Sequence, residues 1–103
     1  MTERPLYESF EAHLRHLDET GQRRRAEMGS FKDPDYNRYV DDTLHGYQHM
    51  SPERRARMLT EVIEDAFHMG YEISDYLEQL RKFCEENNVT DRILKRKSGK
   101  ASQ

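Results

Sequence analysis

The fold is decided by residues 58–84, MLTEVIEDAFHMGYEISDYLEQLRKFC. Apolar side chains recur through this stretch at steps of three and four residues, the spacing that places them on one face of an α-helix. They are Met58, Leu59, Val62, Ile63, Ala66, Met69, Ile73, Tyr76, Leu77, Leu80 and Cys84, and we call them the apolar stripe. The stripe predicts an all-α protein, but it indicates no reaction.

The stripe keeps its phase through Gly70, so the sequence leaves two arrangements open. An unbroken helix from Pro52 to Glu86 has 35 residues and would be about 52 Å long. A compact domain of this size has a radius of gyration of only about 13 Å. Either the helix breaks near Gly70, with Ser74 capping a fourth helix, or a long bent third helix pairs along the stripe.

Two further helices are predicted nearer the N-terminus. The first is expected to run from Pro5 to about Met28, with a bend at Gly21, and residues 29–34 are expected to form a loop. Its apolar face carries Leu6, Phe10, Leu14 and Leu17, with His13 at the edge. The second is expected to begin around Pro34 or Asp35, and its apolar face carries Tyr36, Tyr39, Val40, Leu44, Tyr47 and Met50.

Local signals fix two helix ends further along the chain. Ser51 before Pro52 supplies an N-cap hydroxyl and a ring suited to the first helical position, so a helix starts there. Asn87 and Asn88 predict the end of the last long helix, and Thr90 is expected to cap a final turn through Ile93 and Leu94. The sequence therefore predicts a small antiparallel bundle of three or four helices over residues 1–94. Residues 95–103 are expected to form a disordered basic tail.

The composition indicates a folded chain with a small core. Only 18 of the 103 residues are Leu, Ile, Val or Phe, while 17 basic and 20 acidic residues leave a net charge of −3. Balanced charge favours ion-paired helix faces over disorder. A helical protein short of core often buries its remaining apolar surface against another chain, so we expect a homodimer or a complex with a partner.

Cysteine use and hydropathy bear on the cellular compartment. Cys84 is the single cysteine, lies in phase with the stripe and therefore behaves as a small buried hydrophobe. No apolar run approaches the roughly 20 residues of a membrane span, and no signal-peptide core follows Met1. We expect a cytoplasmic protein. Its small size and charge richness are typical of accessory proteins from bacteria or their phages.

The sharpest chemical alternative is a metal site. Asp42 with His45, and Asp65 with His68, place a carboxylate and an imidazole one helical turn apart, and His49 adds a third candidate ligand near His45. The spacing resembles the acid-x-x-His pairs of di-iron helical bundles, and zinc accepts the same ligands. At 100° per residue, however, the histidines lie nearly opposite the apolar faces of their helices. We therefore expect no cofactor and no metal within one chain, and a metal site shared between two subunits stays open as an alternative.

The distribution of charge along the chain bears on whether the partner is a nucleic acid or a protein. Arg23, Arg24 and Arg25, and then Lys95, Arg96 and Lys97, are clusters that could neutralise phosphates, so a nucleic-acid-associated protein is a second alternative. Between Met58 and Asp91, however, nine acids face only two bases, a balance that repels a polyanion. We expect the acids themselves, together with tyrosines, to form the contact surface.

The sequence contains no glycine-rich phosphate loop, nucleophile elbow or cysteine pair, so we expect no enzymatic activity. It predicts instead a helical adaptor or inhibitor that binds another protein or protein–nucleic-acid complex. Phe67 and Tyr71 leave the stripe, which makes them the best apolar contacts. The expected partner-binding residues are Glu61, Glu64, Asp65, Phe67, His68, Tyr71, Glu72 and Asp75.

Overall fold

The computed structural model describes residues 3–24 and 34–92. In this part of the chain the elements are α1 (Leu6–Glu19), α2 (Pro34–Asp41), a π-helical turn (Asp42–Gly46), α3 (Pro52–His68) and α4 (Ser74–Asn87). The predicted all-α fold is confirmed. No helix in these two ranges has both the length and the apolar character needed to cross a membrane.

Helix α1 ends earlier than its apolar phase predicts. Gly21 has a φ of +75°, and the amides of Gly21 and Gln22 donate to the carbonyls of Asp18 and Leu17 at 3.2 and 2.8 Å. This pair of bonds is a Schellman motif, which closes a helix end. The predicted continuation of the helix to about Met28 is therefore wrong after Glu19. Met28 itself and the predicted loop at 29–33 lie outside the described residues.

The start of α3 and its end at Gly70 have clear local causes. The Ser51 hydroxyl accepts a hydrogen bond from the amide of Arg54 at 3.2 Å, which confirms the predicted N-cap. At the other end Gly70 has a φ of +83°, and the amide of Tyr71 donates to the carbonyl of Ala66 at 3.0 Å. The 35-residue helix is thus divided by a second Schellman motif, and the two-helix alternative is the correct one.

Helix α4 is capped by a residue that the sequence analysis did not assign to this role. Ser74 is the first residue of the helix, and both its amide and its hydroxyl donate to the Glu72 carboxylate, at 2.9 and 2.6 Å. The prediction that Ser74 is the cap is wrong, because Ser74 is itself the first helical residue. The Glu72 carboxylate accepts the hydrogen bond from its amide. The predicted C-terminal end is confirmed, since Asn88 adopts the left-handed conformation with a φ of 55°.

The apolar stripe is the core of the described structure. Leu59, Ile63, Ala66, Ile73, Tyr76, Leu80 and Cys84 are buried, together with Leu6, Phe10 and Leu14 of α1 and Val40 of α2. Helix α1 packs on α4, α2 packs on α3, and α3 packs on both α4 and α1. The chain folds as the antiparallel helical bundle that the periodicity predicts.

The two ends of the described chain meet beside α1. The amide of Leu6 donates to the carbonyl of Val89 at 3.1 Å, and the amide of Asp91 donates to the carbonyl of Arg4 at 2.8 Å. Thr90 takes part in this pairing, and its hydroxyl donates to Glu3. Its predicted role as a cap of a final turn stays a prediction, because that turn falls on residues that the structure does not describe. Ile93, Leu94 and the expected tail at 95–103 lie outside the described residues.

Candidate interaction surface

Three tyrosines form a connected cluster on one side of the α2–α3 pair. The Tyr36 ring lies edge-on to Tyr71 at 5.5 Å and to Tyr39 at 6.1 Å between ring centres. Tyr39 is 52% exposed, the highest exposure of any large apolar side chain in the described residues. The sequence placed Tyr39 on the buried face of its helix, which is wrong. Val40 and Thr43 occupy the centre of that face, and Tyr39 lies at its edge.

An acidic recess lies on α3 beside this cluster. Glu61, Glu64, Asp65 and His68 line a hollow of about 210 Å³. The hydroxyl of Tyr36 donates a hydrogen bond to the Asp65 carboxylate, which joins the recess to the tyrosines. We call the combined feature the acidic–tyrosine surface, and it consists of Tyr36, Tyr39, Glu61, Glu64, Asp65, His68 and Tyr71. Five of its residues were predicted to bind a partner, and the structure brings them together with two tyrosines of α2.

Glu64 lies between two histidines from different helices. Its carboxylate oxygens are 3.3 Å from Nε2 of His13 on α1 and 3.5 Å from Nε2 of His68. Nδ1 of His68 lies 3.0 Å from the carbonyl oxygen of Gln22, within hydrogen-bond distance of this acceptor. His13 lies at the edge of the core as expected. His68 was predicted to point away from the core, but the segment after α1 covers it in part.

Phe67 does not belong to the exposed surface. Its side chain is only 5% exposed, and the Arg23 guanidinium lies over the ring, 4.5 Å from its centre. The prediction that Phe67 is available to a partner is therefore wrong for this structure. Phe67 lies off the apolar stripe of α3, but the segment after α1 covers its side chain. The helical period cannot predict this contact, because it comes from another part of the chain. Arg23 is consequently half-buried against an aromatic ring, an arrangement typical of a cation–π contact.

The remaining predicted contact residues lie elsewhere. Glu72 caps α4 and lines the cleft between α1 and α4, a hollow of about 520 Å³. Asp75 is exposed in the first turn of α4. Of the predicted phosphate-binding residues, Arg24 is exposed. Arg25, Lys95, Arg96 and Lys97 lie outside the described ranges.

The candidate metal ligands are not assembled into a site by the described residues. His45 is 71% exposed at its side chain, and its nearest charged contact is Asp41 at 3.8 Å. His49 is also exposed, beside the ring of Tyr47. Within residues 3–24 and 34–92, no group of three or more His, Cys, Asp or Glu side chains is arranged to hold a metal ion. The outward direction predicted for His45 and His49 is confirmed.

A second recess, which the sequence analysis missed, lies at the other end of α3. It has a volume of about 380 Å³ and is formed by the π-helical turn, the start of α3 and the end of α4. Arg55 contributes its cation, and Lys82 and Phe83 line the opposite side. The signal was present, because Arg55 lies four residues before Leu59 and thus shares the phase of the buried stripe. We call this hollow the arginine recess.

Comparison of the chain with protein-family models, with curated proteins and with solved structures gave no match.

Proposed function

We propose that this protein is a non-enzymatic adaptor or inhibitor that acts in the cytoplasm by binding another macromolecule. The acidic–tyrosine surface is its docking site, and the partner presents a basic surface from a protein or a protein–nucleic-acid complex. The observation that carries the proposal is the hydrogen bond from Tyr36 to Asp65, which makes the tyrosines and the acids one continuous feature.

Both parts of the surface have properties that favour binding. Tyrosine buries a large area while losing few rotatable bonds, and it is enriched among residues that dominate interface energies. Tyr39 is already half-exposed and is held edge-on by Tyr36, so little ordering is needed when it is covered. The carboxylates beside it attract a basic partner and orient its approach.

Charge favours a basic partner over a second copy of the same surface. In a two-fold symmetric contact, each patch faces its own copy. Glu61 and Asp65 would then approach other carboxylates, and like charges brought together oppose association. The homodimer expected from the small core would therefore have to use a different face. The same charge disfavours direct contact between this surface and a phosphate backbone.

The proposal is tested by photo-crosslinking at defined positions in an extract of the source organism. A photoreactive phenylalanine analogue at position 39 is compared with the same analogue at Glu19, which is exposed at the end of α1. We expect position 39 to crosslink to one basic protein and position 19 to crosslink to none. The charge reversal Glu61→Lys is added to the protein that carries the analogue at position 39. It should reduce the crosslinking yield by about tenfold, an effect typical of a strong charge in an interface. Glu19→Lys is its matched control.

Three results would overturn the proposal. One is an equal crosslink at positions 39 and 19, which indicates unspecific capture. Another is full retention of the crosslink in the Glu61→Lys protein. The third is a crosslink from position 39 only to a second copy of the chain, which would make the surface a self-association site.

A further inference from the structure

We infer that the arginine recess is a binding site for a small organic monocarboxylate with a flat apolar body. The site is separate from the acidic–tyrosine surface and goes beyond the proposed function. It is built from three segments of the chain, the π-helical turn, the start of α3 and the end of α4.

Two cations of the recess form no ion pair with the described carboxylates. Within residues 3–24 and 34–92, Arg55 hydrogen-bonds only to a backbone carbonyl and Lys82 has no ion pair, whereas Arg81 and Arg92 are bound to glutamates. Glu86 is the one acid among the described lining residues, so the charges of Arg55, Lys82 and Glu86 sum to about +1. A single negative charge on a ligand would balance it.

Arg55 is held ready for such a ligand. Its Nη1 donates to the carbonyl of Leu44 at 3.1 Å, and its guanidinium carbon lies 5.1 Å from the centre of the Phe83 ring. These contacts fix the plane of the group, so little side-chain freedom is lost on binding. Nε is buried and out of reach of a ligand, but Nη2 is not buried and has no hydrogen-bond partner in the described residues. The guanidinium therefore keeps unused donors in the planar fork that matches a carboxylate.

The shape and the other lining groups restrict the ligand further. A volume of about 380 Å³ lies at the lower end of the range for small-molecule sites. Leu44 and Phe83 provide apolar contact for a flat body. Asn87 uses its amide N–H to donate to the Phe83 carbonyl at 2.9 Å, and its amide oxygen, which has no hydrogen bond in the described part of the chain, can accept one from a ligand hydroxyl. Glu86 repels a second negative charge, so a phosphate monoester fits less well than a carboxylate.

The π-helical turn forms one side of the recess. A π-helical turn is rare, is wider than an α-helical one and occurs often at functional sites. Here it directly follows α2 and brings Leu44 and His45 to the lining. Its last carbonyls lack partners within the helix, and Arg55 bonds one of them. The unusual backbone and the cation are thus parts of one structure.

The test is an NMR titration of the ¹⁵N-labelled full chain with sodium benzoate at constant ionic strength. Benzamide serves as the uncharged isostere and phenyl phosphate as the dianion. We expect saturable shifts confined to amides around Leu44, Arg55 and Phe83, with benzamide about tenfold weaker because it lacks the charge. Phenyl phosphate should also bind more weakly than benzoate.

Substitutions distinguish a specific benzoate site from general attraction of the anion to surface cations. Lys82→Met should weaken benzoate binding about threefold or more, and Arg55→Met about tenfold or more. Arg54→Met is the matched control, since Arg54 is exposed on the same helix and does not line the recess, and it should bind as the wild type does. Lys82 is exposed, so the Lys82→Met substitution removes no core contact. This variant therefore stays informative if the Arg55→Met protein folds poorly.

The inference is overturned if benzoate shifts do not saturate, if they spread over the basic residues of the whole surface, or if benzamide binds as well as benzoate. Equal affinity in the Lys82→Met, Arg54→Met and wild-type proteins overturns it as well. Because the recess and the acidic–tyrosine surface are separate, crosslinking from position 39 is expected to persist in the Lys82→Met protein whichever result is obtained.

Discussion

The hydroxyl of Tyr36 on α2 donates a hydrogen bond to the carboxylate of Asp65 on α3. Helix α2 has only eight residues, too few to be stable alone in water. It depends on α3 through this bond and through Val40, which is 1% exposed. One of the contacts that hold α2 in the fold is therefore also the contact that joins the two parts of the acidic–tyrosine surface.

This dependence predicts that Tyr36→Phe lowers the free energy of unfolding by about 0.5–1.5 kcal/mol, the net value of a typical hydrogen bond. Tyr39→Phe is the control because the Tyr39 hydroxyl has no hydrogen bond in the described structure. It should leave stability unchanged. Urea unfolding of the two variants and the wild type measures both effects. Equal stability of the two variants would contradict the role given to the Tyr36–Asp65 bond.

The break between α3 and α4 predicts a second difference, between two glycines. Gly70 has a φ of +83°, so Gly70→Ala should cost about 1–2 kcal/mol. Gly46 has no positive φ, and an added Cβ would lie 3.7 Å from the Cβ of Asp42, an ordinary contact. Gly46→Ala should therefore stabilise the chain by about 0.4–1 kcal/mol. Thermal unfolding of the two variants measures whether their stability changes have opposite signs. Destabilisation of similar size in both would contradict the role given to the positive φ of Gly70.

Gly70 also illustrates what the sequence could and could not predict. The apolar stripe runs through this residue without a change of phase, so the periodicity alone allowed one long helix or two short ones. The choice depends on hydrogen bonds at the helix end, from Gly70 to Phe67 and from Tyr71 to Ala66. By contrast, the start of α3 was predictable because Ser51 and Pro52 act on their nearest neighbours.

The candidate sites were harder to predict than the fold because they depend on contacts between distant segments. The acids at 61–65 could be assigned to one helix face, but their link to Tyr36 spans 29 residues. Phe67 was misplaced because Arg23, far away in sequence, covers it. The arginine recess combines three separate segments, so only the phase of Arg55 with the stripe indicated it.

An exposed ion pair on α4 provides a local test of the electrostatics. The hydrogen bond from Arg81 holds the pKa of Glu78 below its ordinary value. Arg81→Met should raise the pKa of Glu78 toward that of an isolated glutamate, as measured by NMR titration of its side-chain carboxyl group. Lys82→Met should have a smaller effect, because Lys82 acts on Glu78 only through its charge. The pair is exposed, so the variant should change stability little.

The buried thiol of Cys84 predicts how stability depends on pH in the alkaline range. Burial raises its pKa from 9.0 to about 11, and the side chain is 2% exposed. The unfolded chain therefore releases this proton before the folded chain does. Between about pH 9 and 11 the unfolded state binds fewer protons, so the free energy of unfolding falls as pH rises.

Cys84→Ala isolates this effect from the tyrosines and lysines that titrate in the same range. The variant should be less stable than the wild type below pH 9 because it loses buried volume. The stability difference should then narrow between about pH 9 and 11, as only the wild type carries the thiol. Urea unfolding at a series of pH values measures this difference. A gap that stays constant across the range would mean that the thiol ionises alike in the folded and unfolded chains, contrary to its burial under α1.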